Sequence, residues 1–140
     1  MRASRLHVVF AAAFIACNRE RATAPATDFT GVFQLESVNG STLPVLEFQD
    51  SSGKTELVSD QLIVLNDGTW SELTTFHHTN ADVVNRSQGV STGTYATTDG
   101  QTRFTYTGGG KGTFNVSYDS GRLTLKPPGS VLVYSRGPLK

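Results

Sequence analysis

Short runs of alternating apolar and polar residues, separated by turn residues, cover the chain from about residue 29 onwards. No long segment repeats its apolar residues with the 3.6-residue period of an amphipathic helix. The pattern therefore predicts an all-β domain of eight to ten short antiparallel strands. The alternating runs occupy residues 31–38, 43–48, 54–58, 61–65, 69–79, 83–88, 94–97, 102–107, 113–118, 122–126 and 131–136.

Turn residues between the runs predict that each strand pairs with the next one along the chain. Asn39-Gly40 and Asp99-Gly100 are strong hairpin signals, because both positions of such a turn tolerate a positive φ. Pro44 has no amide hydrogen to donate, so its segment is expected to be an edge strand or a loop.

A sheet of this size must protect its edges, and closure into a barrel removes them altogether. We therefore predict a single up-and-down antiparallel β-barrel over residues 28–136, followed by a tail at 137–140. A two-sheet sandwich is the alternative, because strand rhythm alone does not separate the two architectures.

The first 16 residues have the features of a secretory signal. Arg2 and Arg5 precede an apolar run of 11 residues, which is too short to span a bilayer stably. The run ends at Cys17, the only cysteine. Residues 14–17 (FIAC) resemble the lipobox of bacterial lipoproteins, whose cysteine is lipidated and becomes the mature N-terminus. An ordinary signal peptide cut after residue 24 or 26 is the alternative, but Arg19, Glu20 and Arg21 would then lie before the cut.

Lipidation at Cys17 predicts a protein attached to the cell envelope through its N-terminus, since two or three acyl chains give stable anchoring. Residues 17–27 are polar and are expected to form a tether. Asn18 follows the cysteine, whereas in the lipoproteins that this segment resembles an aspartate there favours the inner membrane. We therefore expect an outer-membrane anchor, with the domain facing the periplasm.

Composition excludes several classes of function. Removal of residues 1–16 leaves ten basic and twelve acidic residues, a net charge of −2, and no basic stripe that would suit a nucleic acid. His77 and His78 are neighbours, and adjacent residues of a regular strand point to opposite faces. We therefore expect no metal site, no cofactor and no catalysis. The aspartates near predicted turns are interpreted as turn formers: Asp28, Asp60, Asp67, Asp82, Asp99 and Asp119.

Four segments of the predicted domain carry a recognisable pattern: residues 31–44 (GVFQLESVNGSTLP), 63–70 (IVLNDGTW), 93–95 (GTY) and 132–136 (LVYSR). This pattern resembles that of small bacterial lipocalin-like lipoproteins over nearly all of residues 29–136. The resemblance implies a binding barrel without catalysis. It also implies that Phe33 stands where lipocalins carry a tryptophan, with Arg136 of the last strand against its ring.

Aromatic and aliphatic side chains on alternating strand positions would meet inside such a barrel. The functional hypothesis is that they bind a small apolar molecule or a lipid, with polar contacts from Gln34, Thr94 and Arg103. The alternative is a filled barrel that binds an envelope protein through residues 44–54 and the glycine-rich loop 108–112. The candidate ligand-binding residues are Phe33, Leu35, Trp70, Tyr95, Phe104 and Tyr134.

Overall fold

The computed structural model describes residues 29–137. The predicted signal segment, Cys17 and the tether lie outside the described residues. Every regular element in the described part of the chain is a β-strand. This part contains no helix long and apolar enough to cross a membrane. The strands are β1 (Gly31–Val38), β2 (Ser41–Thr42), β3 (Val45–Asp50), β4 (Gly53–Val64), β5 (Thr69–Asn80), β6 (Val83–Thr98), β7 (Gln101–Gly108), β8 (Thr113–Asp119), β9 (Arg122–Lys126) and β10 (Leu132–Arg136).

Eight of the ten strands close into an antiparallel up-and-down barrel. From β4 to β10 each strand pairs with the next, β10 pairs with β1, and β1 pairs with β4 to complete the ring. The short strand β2 pairs with the end of β1, and β3 pairs with the start of β4. The predicted barrel is confirmed, and the two-sheet alternative is wrong.

Two strands are longer than the sequence pattern predicts. The runs 54–58 and 61–65 belong to the single strand β4, which bends at an irregularity between Leu57 and Ser59. The runs 83–88 and 94–97 belong to β6, in which Gly89 and Gly93 interrupt the apolar pattern. Both strands continue because β5 pairs with them along its length, and ladder hydrogen bonds outweigh a weak local strand preference.

The barrel has two different ends. The N-terminal end carries Phe29 and the hairpin turns at residues 65–68, 99–100 and 120–121. At the opposite end β4, β5 and β6 extend beyond the closed ring, and β3 joins them as a fourth strand. We call this extension the arm; it comprises residues 45–50, 53–59, 75–80 and 83–90.

Aromatic rings fill the middle of the barrel. Phe33 and Phe104 have no exposed surface, and the Trp70 ring stacks on Phe104 with 5.4 Å between ring centroids. The prediction that Trp70 faces inwards is confirmed. Gly93 permits this packing, because a Cβ atom there would lie only 2.4 Å from the Trp70 ring.

Candidate functional site

The six residues predicted to bind a ligand lie in the barrel interior, where they form part of the protein's own core. Five of them are buried and Tyr95 is half-buried. Ring contacts join them, with centroids 5.4 Å apart for Trp70 and Phe104 and 5.6 Å apart for Tyr95 and Phe104. An apolar ligand could therefore enter this layer only by displacing side chains that already pack against one another.

Aromatic packing also closes the N-terminal end of the interior. The Phe29 ring lies 5.1 Å from Tyr95 and 6.3 Å from Tyr118, measured between centroids. The Arg136 guanidinium lies 5.4 Å from the Phe33 centroid and donates a hydrogen bond of 3.2 Å to the Tyr118 hydroxyl. This cation–π contact has the geometry that the lipocalin resemblance implies for Arg136.

The three predicted polar contacts do not join the aromatic set. Gln34 and Arg103 each sit next to an inward-facing phenylalanine on their strands, so their side chains point to the outer surface. Thr94 is exposed, and only its backbone carbonyl reaches the interior set, where it accepts a 3.0 Å hydrogen bond from Trp70 Nε1. The structure therefore offers no polar lining from these residues.

Two acidic side chains lie instead inside the barrel, close to the arm. The interpretation of Asp60 as a turn former is wrong, because Asp60 lies within β4 and is only 4% exposed. It pairs across the sheet with Thr74, while the buried Glu72 lies two residues before Thr74 on the same face of β5. The two carboxyl groups are therefore diagonal neighbours on the inner face of the sheet.

Hydroxyl groups hold each member of this acid pair. Thr74 Oγ1 donates a 2.7 Å hydrogen bond to Asp60 Oδ2, and the fully buried Tyr134 hydroxyl donates one of 2.9 Å to Glu72 Oε1. The second oxygen of Asp60, Oδ1, is buried without a hydrogen-bond partner among the described residues. A bare carboxylate oxygen in this position is unfavourable, so the geometry favours a protonated Asp60.

The electrostatic surroundings act in the same direction. Burial, together with the negative charge of Glu72, raises the pKa of Asp60 to about 7, although the Thr74 hydrogen bond lowers it. Burial and the two carboxylates also raise the pKa values of Tyr106 and Tyr134. Two neighbouring buried carboxyl groups retain one proton more easily than they carry two charges.

Apolar residues at the base of the arm cover the acid pair on that side. Leu57 is buried, and its cross-strand partners Val45 and Phe76 pack against the core. The glycine-rich loop lies against Tyr106, because a Cβ atom on Gly110 would lie 2.6 Å from the Tyr106 ring. Covered in this way, the acid pair lies within the interior of the barrel.

The arm is the part of the described chain with the most exposed apolar surface. Five of the eight exposed large hydrophobic residues lie on it, although it contributes only 27 of 109 described residues. Phe48 is 58% exposed and Val84 57% exposed. Every residue from 80 to 90 is exposed, so β6 has little cover on either face here. The five residues are Leu46, Phe48, Val83, Val84 and Val90.

The two neighbouring histidines lie within the arm on opposite faces of its sheet. His78 forms hydrogen bonds with Thr55 Oγ1 at 3.0 Å and with Ser87 Oγ at 2.6 Å. His77 occupies the other face, between Glu56 and Arg86 in the ladder. Residues 29–137 contain no group of three or more histidine, cysteine or acidic side chains placed to hold a metal ion.

No family model, no curated protein and no solved structure matches the chain. The closed barrel is therefore established by the structure alone.

Proposed function

We propose that this chain is an exported, lipid-anchored, lipocalin-like barrel of the cell envelope that binds another protein through its arm and catalyses no reaction. The contrast between a filled interior and an exposed apolar arm supports this proposal most strongly. These side chains lie on both faces of the arm, with Leu46, Val84 and Val90 on one face and Phe48 and Val83 on the other. Exposed apolar surface concentrated in one element commonly marks an interaction site. The barrel then acts as a rigid support for the arm.

The N-terminus of the described chain and the arm lie at opposite ends of the barrel, which suits this proposal. The first described residue, Phe29, is at the barrel end opposite the arm. Eleven residues lie between it and Cys17, and the twelve Cα–Cα steps of this segment reach about 40 Å when fully extended. With lipid chains on Cys17 in the outer membrane, the attachment point is at the barrel end opposite the arm, which leaves the arm accessible to partners in the periplasm.

Serine substitutions on the arm test the proposal. The triple variant Leu46→Ser, Phe48→Ser and Val84→Ser removes three exposed apolar side chains, so the fold should be retained. Val131→Ser, at an exposed valine outside the arm, is the matched control. The full-length proteins would be crosslinked in the envelope of producing cells, and the size of the solubilised species would be compared.

The wild type and the Val131 control are expected to give the same larger complex, while the triple variant gives the uncomplexed mass. An identical complex from the triple variant, or no complex from the wild type, would show that the arm does not bind a protein.

A small apolar molecule or a lipid is the second candidate ligand. The observation in its favour is the half-buried apolar set at the arm end of the interior, which includes Val45, Phe76 and Leu132. Surface depressions do not add support: the one at the tip of the arm, of about 380 Å³, is lined by polar residues such as Gln49, Asp50 and Asn80. Submicromolar binding of a fluorescent fatty acid to the purified domain would favour this candidate over the first.

A further inference from the structure

One edge of the arm is open along its backbone. β6 pairs with β5 from Val83 to Thr94, whereas its pairing with β7 begins only at Thr92. On the arm side of Thr92, Gly109 covers the edge of β6 at Val90, because a Cβ atom on Gly109 would lie 2.2 Å from the Val90 carbonyl oxygen. Residues 83–89 therefore have a neighbouring strand on one side only.

The orientation of the Val90 carbonyl shows which backbone groups face the open side. In an antiparallel ladder the amide and carbonyl groups of alternate residues point to the same side of the strand. Since Val90 points towards Gly109 and the register with β5 has no irregularity here, Val84, Arg86 and Gln88 also point to the open edge. Three residues thus present amide and carbonyl groups that no strand within residues 29–137 pairs with, and such groups form a template for an additional strand.

The side chains along this edge specify the charge of such a strand. Val84 and Arg86 share one face of the sheet, two residues apart. Arg86 is exposed, and neither of the two ion pairs in the described part of the chain includes it. Its cross-strand neighbour is His77, so no carboxylate opposes it within the ladder.

We propose that residues 83–89 of β6 pair with an extended segment of the partner protein, which places an acidic residue opposite Arg86 and an apolar residue opposite Val84. This inference rests on the proposed function of the arm and names the element and the chemistry of the contact. Strand addition to an open sheet edge supplies affinity through backbone hydrogen bonds and specificity through alternate side chains.

A second copy of this chain fits the same edge poorly. Antiparallel pairing of two β6 edges centred on residue 86 sets Arg86 directly opposite Arg86, and like charges in direct opposition are unfavourable. A shift of two residues in one direction brings Val84 of the second copy to Val90, where Gly109 already lies. A shift in the other direction draws the turn at residues 81–82 into the ladder. The edge therefore favours a different chain with a negative charge.

Peptide probes test this pairing with the full chain solubilised in detergent. The first probe is a labelled nine-residue peptide with glutamate at its centre, valine two positions to either side and threonine elsewhere. Its twin has lysine at the centre. An exposed charge pair supports about fivefold tighter binding of the glutamate peptide by the wild type, measured by fluorescence anisotropy. The variant Arg86→Glu should prefer the lysine peptide by a similar factor.

Two controls separate strand pairing from general charge attraction. Arg103→Glu changes an exposed arginine on β7, away from the open edge, and should leave the preference of the wild type unchanged. The amides at odd positions and those at even positions of the glutamate peptide point to opposite edges of the extended peptide, and only one of these two sets faces β6. N-methylation of the set that faces β6 should abolish binding, and N-methylation of the other set should preserve it.

No binding of either peptide up to about 1 mM, or equal binding of both, would overturn the inference. The same holds if the Arg103 variant alters the preference as strongly as the Arg86 variant. In those cases the arm remains a protein-binding surface if the serine triple variant still loses its complex, so the two proposals fail separately.

Discussion

Asparagine in place of Asp60 should make the stability of the domain much less dependent on pH. The Asp60→Asn substitution keeps the size of the side chain and an oxygen that accepts the Thr74 hydrogen bond, but it removes the ionisable group. The pKa of Asp60 is about 7 in the folded protein and 3.8 in its ordinary surroundings. The folded state therefore holds a proton between these values that the unfolded chain has lost.

The sign follows from this difference. Below about pH 4 both states are protonated, so Asp60 adds no pH dependence. As the pH rises from about 4 towards 7, the unfolded chain loses this proton while the folded protein keeps it. The free energy of unfolding of the wild type therefore falls. One pH unit corresponds to about 1.4 kcal/mol, so the loss at pH 8 is at most about 4 kcal/mol. The Asp60→Asn variant lacks this loss.

Urea unfolding between pH 4.5 and 8.5, followed by the fluorescence of the single tryptophan, measures the effect. The free energy of unfolding should fall with rising pH in the wild type and stay nearly constant in Asp60→Asn. Asp50→Asn is the matched control, because hydrogen bonds from Ser52 lower the pKa of the exposed Asp50 and its contribution is lost at low pH instead. Parallel curves for the wild type and Asp60→Asn would refute a buried, protonated Asp60.

Three further predictions concern the anchor and the core. Cys17→Ser should release the protein from membranes or block its processing; membrane fractionation at the mature mass would contradict lipidation. Trp70→Ala should lower the free energy of unfolding by about 3–5 kcal/mol, measured by circular dichroism, since the ring is buried against Phe104. Gly93→Ala should cost about 1–3 kcal/mol through clashes with the Thr105 carbonyl oxygen and with that ring, whereas Gly89→Ala, which meets no atom within 4 Å, should cost much less; equal effects would refute the close approach.

The hairpins of the barrel could be predicted because each hairpin signal is local in the sequence. Asn39 and Asp99 adopt positive φ values of 51° and 52° in their turns, as such hairpins require. Asp67 accepts hydrogen bonds from the backbone and side chain of Thr69, which is the role expected of a turn aspartate. These features depend on two to four consecutive residues and can be read directly.

The acid pair could not be predicted in this way, because its cause is distant in sequence. Tyr134 reaches Glu72 across 62 residues, and Asp60 is buried only once the ring of strands has closed. The one local signal was the length of the segment 53–64, which contains neither glycine nor proline after Gly53 and so lacks a clear strand break around Asp60.

Only part of the arm could be predicted. Of the edge strand or loop expected in the segment of Pro44, the edge strand is confirmed as β3, which forms because β4 continues past the barrel and offers a pairing partner. Valines at positions 83 and 84, in a segment with few other apolar residues, were the available sign of an exposed strand. Whether such a strand ends at the barrel rim or passes it depends on strand length and register, which no local pattern specifies.

Photocrosslinking in producing cells tests the central claim, that the arm is the binding element, most directly. A photoreactive residue would replace Phe48 or Val84 on the arm, and Asn66 or Gln101 at the N-terminal end, one at a time in the full-length protein. All four positions are exposed, so the substitutions should leave the fold intact. The account predicts adducts with the same protein from both arm positions and none with that protein from the N-terminal end. Adducts from the N-terminal end alone, or no protein adduct from the arm, would contradict it.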